Sequence, residues 1–184
     1  IVSRGDLLRK INFPKYIVII SSMATALISL CINLIVVIIF AILSGVNFSW
    51  SAFLVPFDII LLFIMAFGTS LILATLYIKF RDISHIWEVF LQVLMYSTPI
   101  IYPISMLTGA KIWGISIAKI IIMNPIAFTI QNIRHNLIAK EVPTFWNFFN
   151  DMWVVAIPIL IVVFLLIFGL WYFNKNSKKF AEML

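Results

Sequence analysis

Charge is scarce in this chain. Thirteen lysines and arginines and seven aspartates and glutamates are spread over 184 residues, 11% of the sequence, where an average soluble domain carries about 25%. Hydrophobic residues make up 64%, in blocks longer than a soluble core needs, and this excludes an ordinary water-soluble fold. Cysteine is scarcer still. Cys31 stands alone inside an apolar block, so no intrachain disulfide can form, and an inert buried thiol is the expected state. The two histidines, His85 and His135, are far apart and neither has a partner at metal-ligand spacing. There is no Gly-x-x-x-x-Gly-Lys-Ser/Thr loop for phosphates and no His-Glu-x-x-His. The acids Asp58, Asp82, Glu88, Glu141 and Asp151 are predicted at two different membrane faces, which gives no support to a carboxylate pair. No catalytic residue and no metal site is therefore assigned. The net charge of +6 lies mostly beside the apolar blocks, and no basic patch with interleaved aromatics exists, so nucleic acid is not an expected partner.

What the chain does contain is spans. With about 20 apolar residues needed to cross a bilayer, four segments qualify: 17–43, 56–78, 86–104 and 152–173. The expected fold is an all-α integral membrane protein with four transmembrane helices in one transmembrane domain over 1–184. Between the last two spans, residues 112–123 form an apolar run of 12 interrupted by Lys119, too short to cross and suited to a re-entrant or interfacial helix. The start at Ile1, with no signal-peptide pattern, reads as an internal fragment of a larger protein. Nine basic residues flank one side of the spans (Arg4, Arg9, Lys10, Lys15, Lys79, Arg81, Lys175, Lys178, Lys179) and four the other (Lys111, Lys119, Arg134, Lys140). That asymmetry predicts both ends cytoplasmic. Trp50, Trp153, Trp171 and Tyr172 fall at span ends, where amphipathic rings belong.

Polar residues inside the spans fall in two stripes. Ser22, Thr25, Ser29 and Asn33 share one face of the first span, which suits helix packing through small polar side chains. In the third span Glu88, Gln92 and Tyr96 recur every four residues, and the segment ends in TPIIYP, where Pro99 and Pro103 break the helix and free its carbonyls. This is the expected pathway face, although Glu88 also lies in a first helical turn, where the dipole alone favours a carboxylate. Pro56 with Asp58 reads as a helix start, and Ala66 to Ser70 around Gly68 as a small-residue contact patch.

Two features remain on the side with more basic residues. Residues 4–13 are expected to form a short amphipathic helix, with Leu7, Leu8 and Ile11 on one face, stopped by Pro14. The loop 79–85 carries Lys79, Phe80, Arg81, Asp82 and His85 between two apolar runs, and Asp82 or Ser84 can cap the helix that follows. Topology needs the basic residues but not Phe13 and Phe80; a docking surface for a soluble partner uses both, and lipid anchoring is the other use of an interfacial Phe.

The series FP at 13–14, KFRDI at 79–83, STPIIYPIS at 97–105, MNPIAFTIQNIR at 123–134 and a basic tail ending FAEML resembles the permease subunit of bacterial type-2 ATP-binding-cassette polysaccharide exporters. These export teichoic acid, O-antigen or capsular polysaccharide, and the likeness runs along nearly the whole chain. It implies six spans in the full protein, of which these four are the last, a bacterial plasma-membrane location and an outer region, 105–150, of short re-entrant helices. Two ATPase subunits, which bind the ATP and Mg that this chain does not, would meet Arg9, Phe13, Pro14, Phe80, Arg81, Asp82 and Ile83. A permease homodimer in membrane lipid would pass a lipid-linked polysaccharide between its subunits. Trp87, Glu88, Gln92, Tyr96 and Tyr102 would line the path, and Pro99, Pro103, Asn124, Pro125 and Arg134 would frame its outer gate. A drug or lipid exporter of the same superfamily is the nearest alternative. A membrane-embedded glycosyltransferase or polymerase component would need loop carboxylates that are absent here, and an interrupted third span disfavours an inert scaffold.

Overall fold

The computed structural model describes residues 16–46, 48, 50–80 and 82–177. Three helices are long and apolar enough to cross a bilayer: α1 (Tyr16–Leu43), α2 (Val55–Lys79), which a 3-10 turn (Trp50–Leu54) extends to Trp50–Lys79, and α6 (Met152–Ser177). Between them lie α3 (Ile83–Ser97), a 3-10 turn (Ile104–Leu107), the strands β1 (Lys111–Ile112) and β2 (Ile115–Ser116), and two short helices. These are α4 (Ile117–Ile122) and α5 (Pro125–Leu137), followed by a 3-10 turn (Phe145–Asn147). The chain is a multi-pass, mostly helical membrane protein.

Two sequence expectations change. The third span was expected over 86–104, but α3 covers only 15 residues, about 22 Å of rise against a hydrocarbon core of about 30 Å. It ends because Thr98 precedes Pro99, which disfavours the α region for its predecessor; Thr98 is extended, at φ −99° and ψ 136°. Three helices, not four, thus meet the spanning criterion among the described residues. The run 112–123, expected as one short helix, is divided between a hairpin and α4. Trp113 and Gly114 both have positive φ and fold Ile112 back onto Ile115, so a helix can begin only after the turn.

The long helices are joined at a glycine crossing. Gly68 of α2 meets Gly169 of α6, and a Cβ built on Gly68 would lie 2.7 Å from the Leu165 backbone, while one on Gly169 would strike the Gly68 carbonyl. Small residues let two backbones approach this closely, and in lipid such packing replaces the hydrophobic drive that water supplies. Beside the crossing, Ile19, Leu71 and Phe173 form a small core from α1, α2 and α6, and the Tyr16 hydroxyl donates to the Asn174 side-chain carbonyl. The hydroxyls of Ser22, Thr25 and Ser29 bond back to carbonyls one turn earlier in α1, so they are satisfied without a neighbouring helix. Most apolar side chains of α1, among them Ile28, Ile35 and Phe40, face outwards, as lipid permits.

At the far end of the bundle a second core collects Ile104, Ala118, Ile122, Phe128 and Phe145, with Leu61 and Val155 of the long helices packed against it. Here α5 runs antiparallel to the start of α2. The Ser51 hydroxyl donates to the Asn136 carbonyl (3.4 Å), and Asn132 donates to Asp58 (3.4 Å). Asn124 caps α5 by accepting from the Ile126 N–H at 3.0 Å, and Pro125 takes the first helical position, where its missing N–H costs nothing.

The crossing makes a clear expectation. Gly68→Ala overpacks the α2–α6 contact and lowers stability by about 1–3 kcal/mol, whereas Gly109→Ala, with nothing within 4 Å of a built Cβ, leaves it unchanged. Thermal melting of the two purified variants in detergent checks the difference.

Candidate functional site

Where α3 stops, its carbonyls lose their helical partners. Side chains from elsewhere take over: the Arg134 guanidinium donates to the Pro99 carbonyl at 2.6 Å and to the Ile100 carbonyl at 2.5 Å, and the Tyr102 hydroxyl donates to the Tyr96 carbonyl at 3.0 Å. Arg134 lies in the last turn of α5, where a cation also suits the helix dipole. A guanidinium carries donors in a planar fork, so one side chain can serve two consecutive carbonyls. Thr98 and Pro99 are buried beneath this clamp.

The rest of the α5 polar run, Gln131 to His135, fastens the surroundings. Gln131 is fully buried and donates to the Pro143 carbonyl (3.3 Å), while its own carbonyl accepts from Arg134 (3.4 Å). Asn132 reaches buried Asp58 on α2, and a His135 ring nitrogen lies 2.9 Å from the Val142 carbonyl. One helix therefore ties α2, the α3 break and the 138–144 segment together.

The expected pathway residues do not share one surface. Glu88, Gln92 and Tyr96 lie along an exposed face of α3, with Glu88 3.9 Å from His85 in an exposed pair. Trp87 is on the opposite side, half-buried and stacked on Phe90 with centroids 5.2 Å apart. It lines a cavity of about 1000 Å³ between α1, α2 and α3 that is mostly apolar, with Ser22, Thr69, Ser70, Ser84 and Tyr77 among its walls. Tyr102 turns its hydroxyl back to the end of α3 instead of joining the stripe. Pro103 starts the following 3-10 turn.

At the other end of α3, Phe80 and Asp82 stand at the corner where α2 ends and α3 begins. Phe80 is extended and half exposed, with the Lys79 ammonium 5.2 Å from its ring centroid. Asp82 occupies the N-cap position, yet its side chain makes no capping bond; its backbone carbonyl instead accepts from the His85 and Ile86 amides. Ile83 turns into the cavity. Arg9, Phe13, Pro14 and Arg81 lie outside the described residues. Among those described, no three His, Cys, Asp or Glu side chains gather as a metal site.

Sequence reasoning gave Asp58 only a helix-start role and His135 no partner, and passed over Gln131 and Asn132. A usable signal existed: QNIRHN, at 131–136, is the densest polar run between the first and last spans, and in lipid each such side chain needs a partner. Removing the clamp exposes its role. Arg134→Gln frees two carbonyls from charge-assisted bonds and costs roughly 2–4 kcal/mol, Arg134→Lys does not restore both bonds, and Tyr102→Phe costs about 1 kcal/mol. Melting temperatures in detergent, with limited proteolysis at residues 98–103, measure the order.

Comparison with known proteins agrees with this architecture. The ABC-2 type transporter family matches residues 1–138. Among curated relatives, the chain is similar over its whole length to two proteins named O-antigen export system permease protein RfbA from Klebsiella pneumoniae, at 29% and 27% identity. Over 99% of its length it is 23% identical to a protein of the same name from Myxococcus xanthus. The chain spans 66% of the length of each relative. With the family match covering well over half of it, the chain belongs to the ABC-2 type transporters, the membrane components of transport systems.

Proposed function

We propose that this chain is the membrane-embedded part of an ATP-binding-cassette exporter that moves a lipid-linked cell-surface polysaccharide across the bacterial plasma membrane. The observation that carries the reading is the polar stripe of α3, Glu88, Gln92 and Tyr96, exposed on a helix that stops at a clamped break instead of continuing. A polar face in an apolar bundle needs either water or a polar partner, and a hydrated sugar chain between two permease copies supplies both. The names of the relatives support the polysaccharide as substrate.

Orientation follows from the basic residues, nine on the side of the α2–α3 corner and four on the other, which put the corner and both ends of this segment in the cytoplasm. The break, α4 and α5 then stand at the outer end of the path, as an exit frame of re-entrant helices with Pro99, Pro103, Asn124, Pro125 and Arg134 in it. ATP and Mg bind in a separate ATPase, two copies of which press on the corner. Phe80 and Asp82 suit that contact because both are exposed and Asp82 is not spent on capping α3.

The coupling role separates from simple topology by three substitutions. Arg81→Ala and Asp82→Ala leave the permease folded but remove ATPase binding or stimulation, since truncating one side of a partly buried charged contact costs roughly 2–5 kcal/mol. Lys175→Ala removes an equally basic residue, which in the structure lies over the Trp171 ring at 4.8 Å, and changes neither. Co-purification of the ATPase and export of polymer are the readouts; three variants that behave alike contradict the assignment.

A further inference from the structure

We propose that the hairpin Lys111–Ser116 is a membrane-interface anchor. Its tip, Trp113, inserts into the phospholipid headgroup layer at the end of the bundle where α2 and α6 begin, and Lys111 pairs with anionic headgroups there.

The hairpin is the tightest possible, with Lys111 opposite Ser116 and Ile112 opposite Ile115. Its two turn residues, Trp113 at φ 54° and Gly114 at φ 81°, are both left-handed, the geometry that matches strand twist. Asparagine or glycine adopts the first of these positions easily; a bulky side chain there is strained. Trp113 therefore does not serve the turn. Nor does it serve the core, since it is 98% exposed, and Ile112 and Ile115 beside it are each more than half exposed. Three large apolar side chains so exposed at a tip, without a partner among the described residues, call for an apolar medium outside the chain.

The attachment of the hairpin identifies that medium. Its base is fastened to α4 by the Ile117 amide donating to the Ala110 carbonyl (2.9 Å). Two residues later the Lys119 ammonium lies 5.4 Å from the centroid of the Phe149 ring, and Phe149 is three residues ahead of Met152, where α6 starts. The base of the hairpin is thus held at the end of the bundle that also carries Trp153, 88% exposed at the start of α6, and Trp50, 87% exposed at the start of the α2 span. Indole rings favour this layer, where the ring meets acyl chains and the N–H meets water. A sugar-binding platform would set amide or carboxylate groups beside the ring to fix orientation. Residues 109–118 contain none, and their one charge is the cation Lys111, which complements an anionic lipid surface. The inference depends neither on which side is cytoplasmic nor on what is carried.

The test is tryptophan quenching in the full-length permease, reconstituted into vesicles of phosphatidylcholine with phosphatidylglycerol. The emission of Trp113 is the difference between the native protein and Trp113→Phe, with Trp113→Tyr giving the same difference spectrum as a check on folding. Phospholipid brominated near the headgroup should remove most of the Trp113 emission, and aqueous iodide little of it. In a Lys111→Gln background the extra quenching by brominated phosphatidylglycerol over brominated phosphatidylcholine should be lost. Quenching by iodide alone places the tip in water, open to a sugar chain, and overturns the proposal. Protection from both quenchers places it against protein, such as a second copy, and overturns it as well.

Discussion

A helix that stops short of crossing a bilayer leaves carbonyls without helical partners, and the rest of this structure is arranged around satisfying them. Pro99 stops α3. The Arg134 fork then bonds the two carbonyls that follow, 99 and 100, while Tyr102 bonds the one at 96. Arg134 can do so only if α5 is held at a fixed depth and rotation. Asn124 and Pro125 set where α5 begins, and Gln131, Asn132 and His135 hold it against the 138–144 segment and α2. The polar residues of α5 thus act as one unit, in which moving the helix to satisfy one partner strains the others.

The long helices provide the frame for this unit. The Gly68–Gly169 crossing lets α2 and α6 approach at backbone distance, and the aromatic core around Phe145 fills the space between them and the α4–α5 pair. By contrast α1 packs lightly, and the cavity between it, α2 and α3 is bounded mainly by apolar side chains. Rigidity is thus concentrated at the break, and α3 connects that rigid end to the exposed corner at Phe80 and Asp82. In the proposed exporter, a push delivered at the corner is transmitted along a short, unbroken helix to a fixed point at the exit.

Much of this was legible from residue order, and the exceptions have physical causes. The three long spans declare themselves by length and composition, the break by its two prolines, and the start of α5 by the Asn-Pro pair. Gly68 gave a weak signal of close packing that becomes specific only when Gly169, a hundred residues later, is placed against it. The third apolar run was drawn to Ile104 because apolar residues continue that far, while α3 itself ends at Ser97, ahead of the Pro99 break. Trp87 was grouped with Glu88, Gln92 and Tyr96 by residue type, although the helical period turns it towards the opposite side. Asp58 read as a helix-start acid because its partner, Asn132, is distant in sequence. Trp113 in a left-handed turn runs against propensity, and no periodicity rule would place a hairpin there.

The most direct measurement is of the clamp itself in lipid. Solid-state NMR on the bilayer-reconstituted protein, with carbonyl-labelled proline and guanidinium-labelled arginine, reads the dipolar coupling between Arg134 and the carbonyl of Pro99. The 2.6 Å hydrogen bond requires a strong coupling that disappears when residue 134 is lysine. No coupling, or one that survives the lysine, would mean that the freed carbonyls of α3 are satisfied in another way and that α5 does not hold the break.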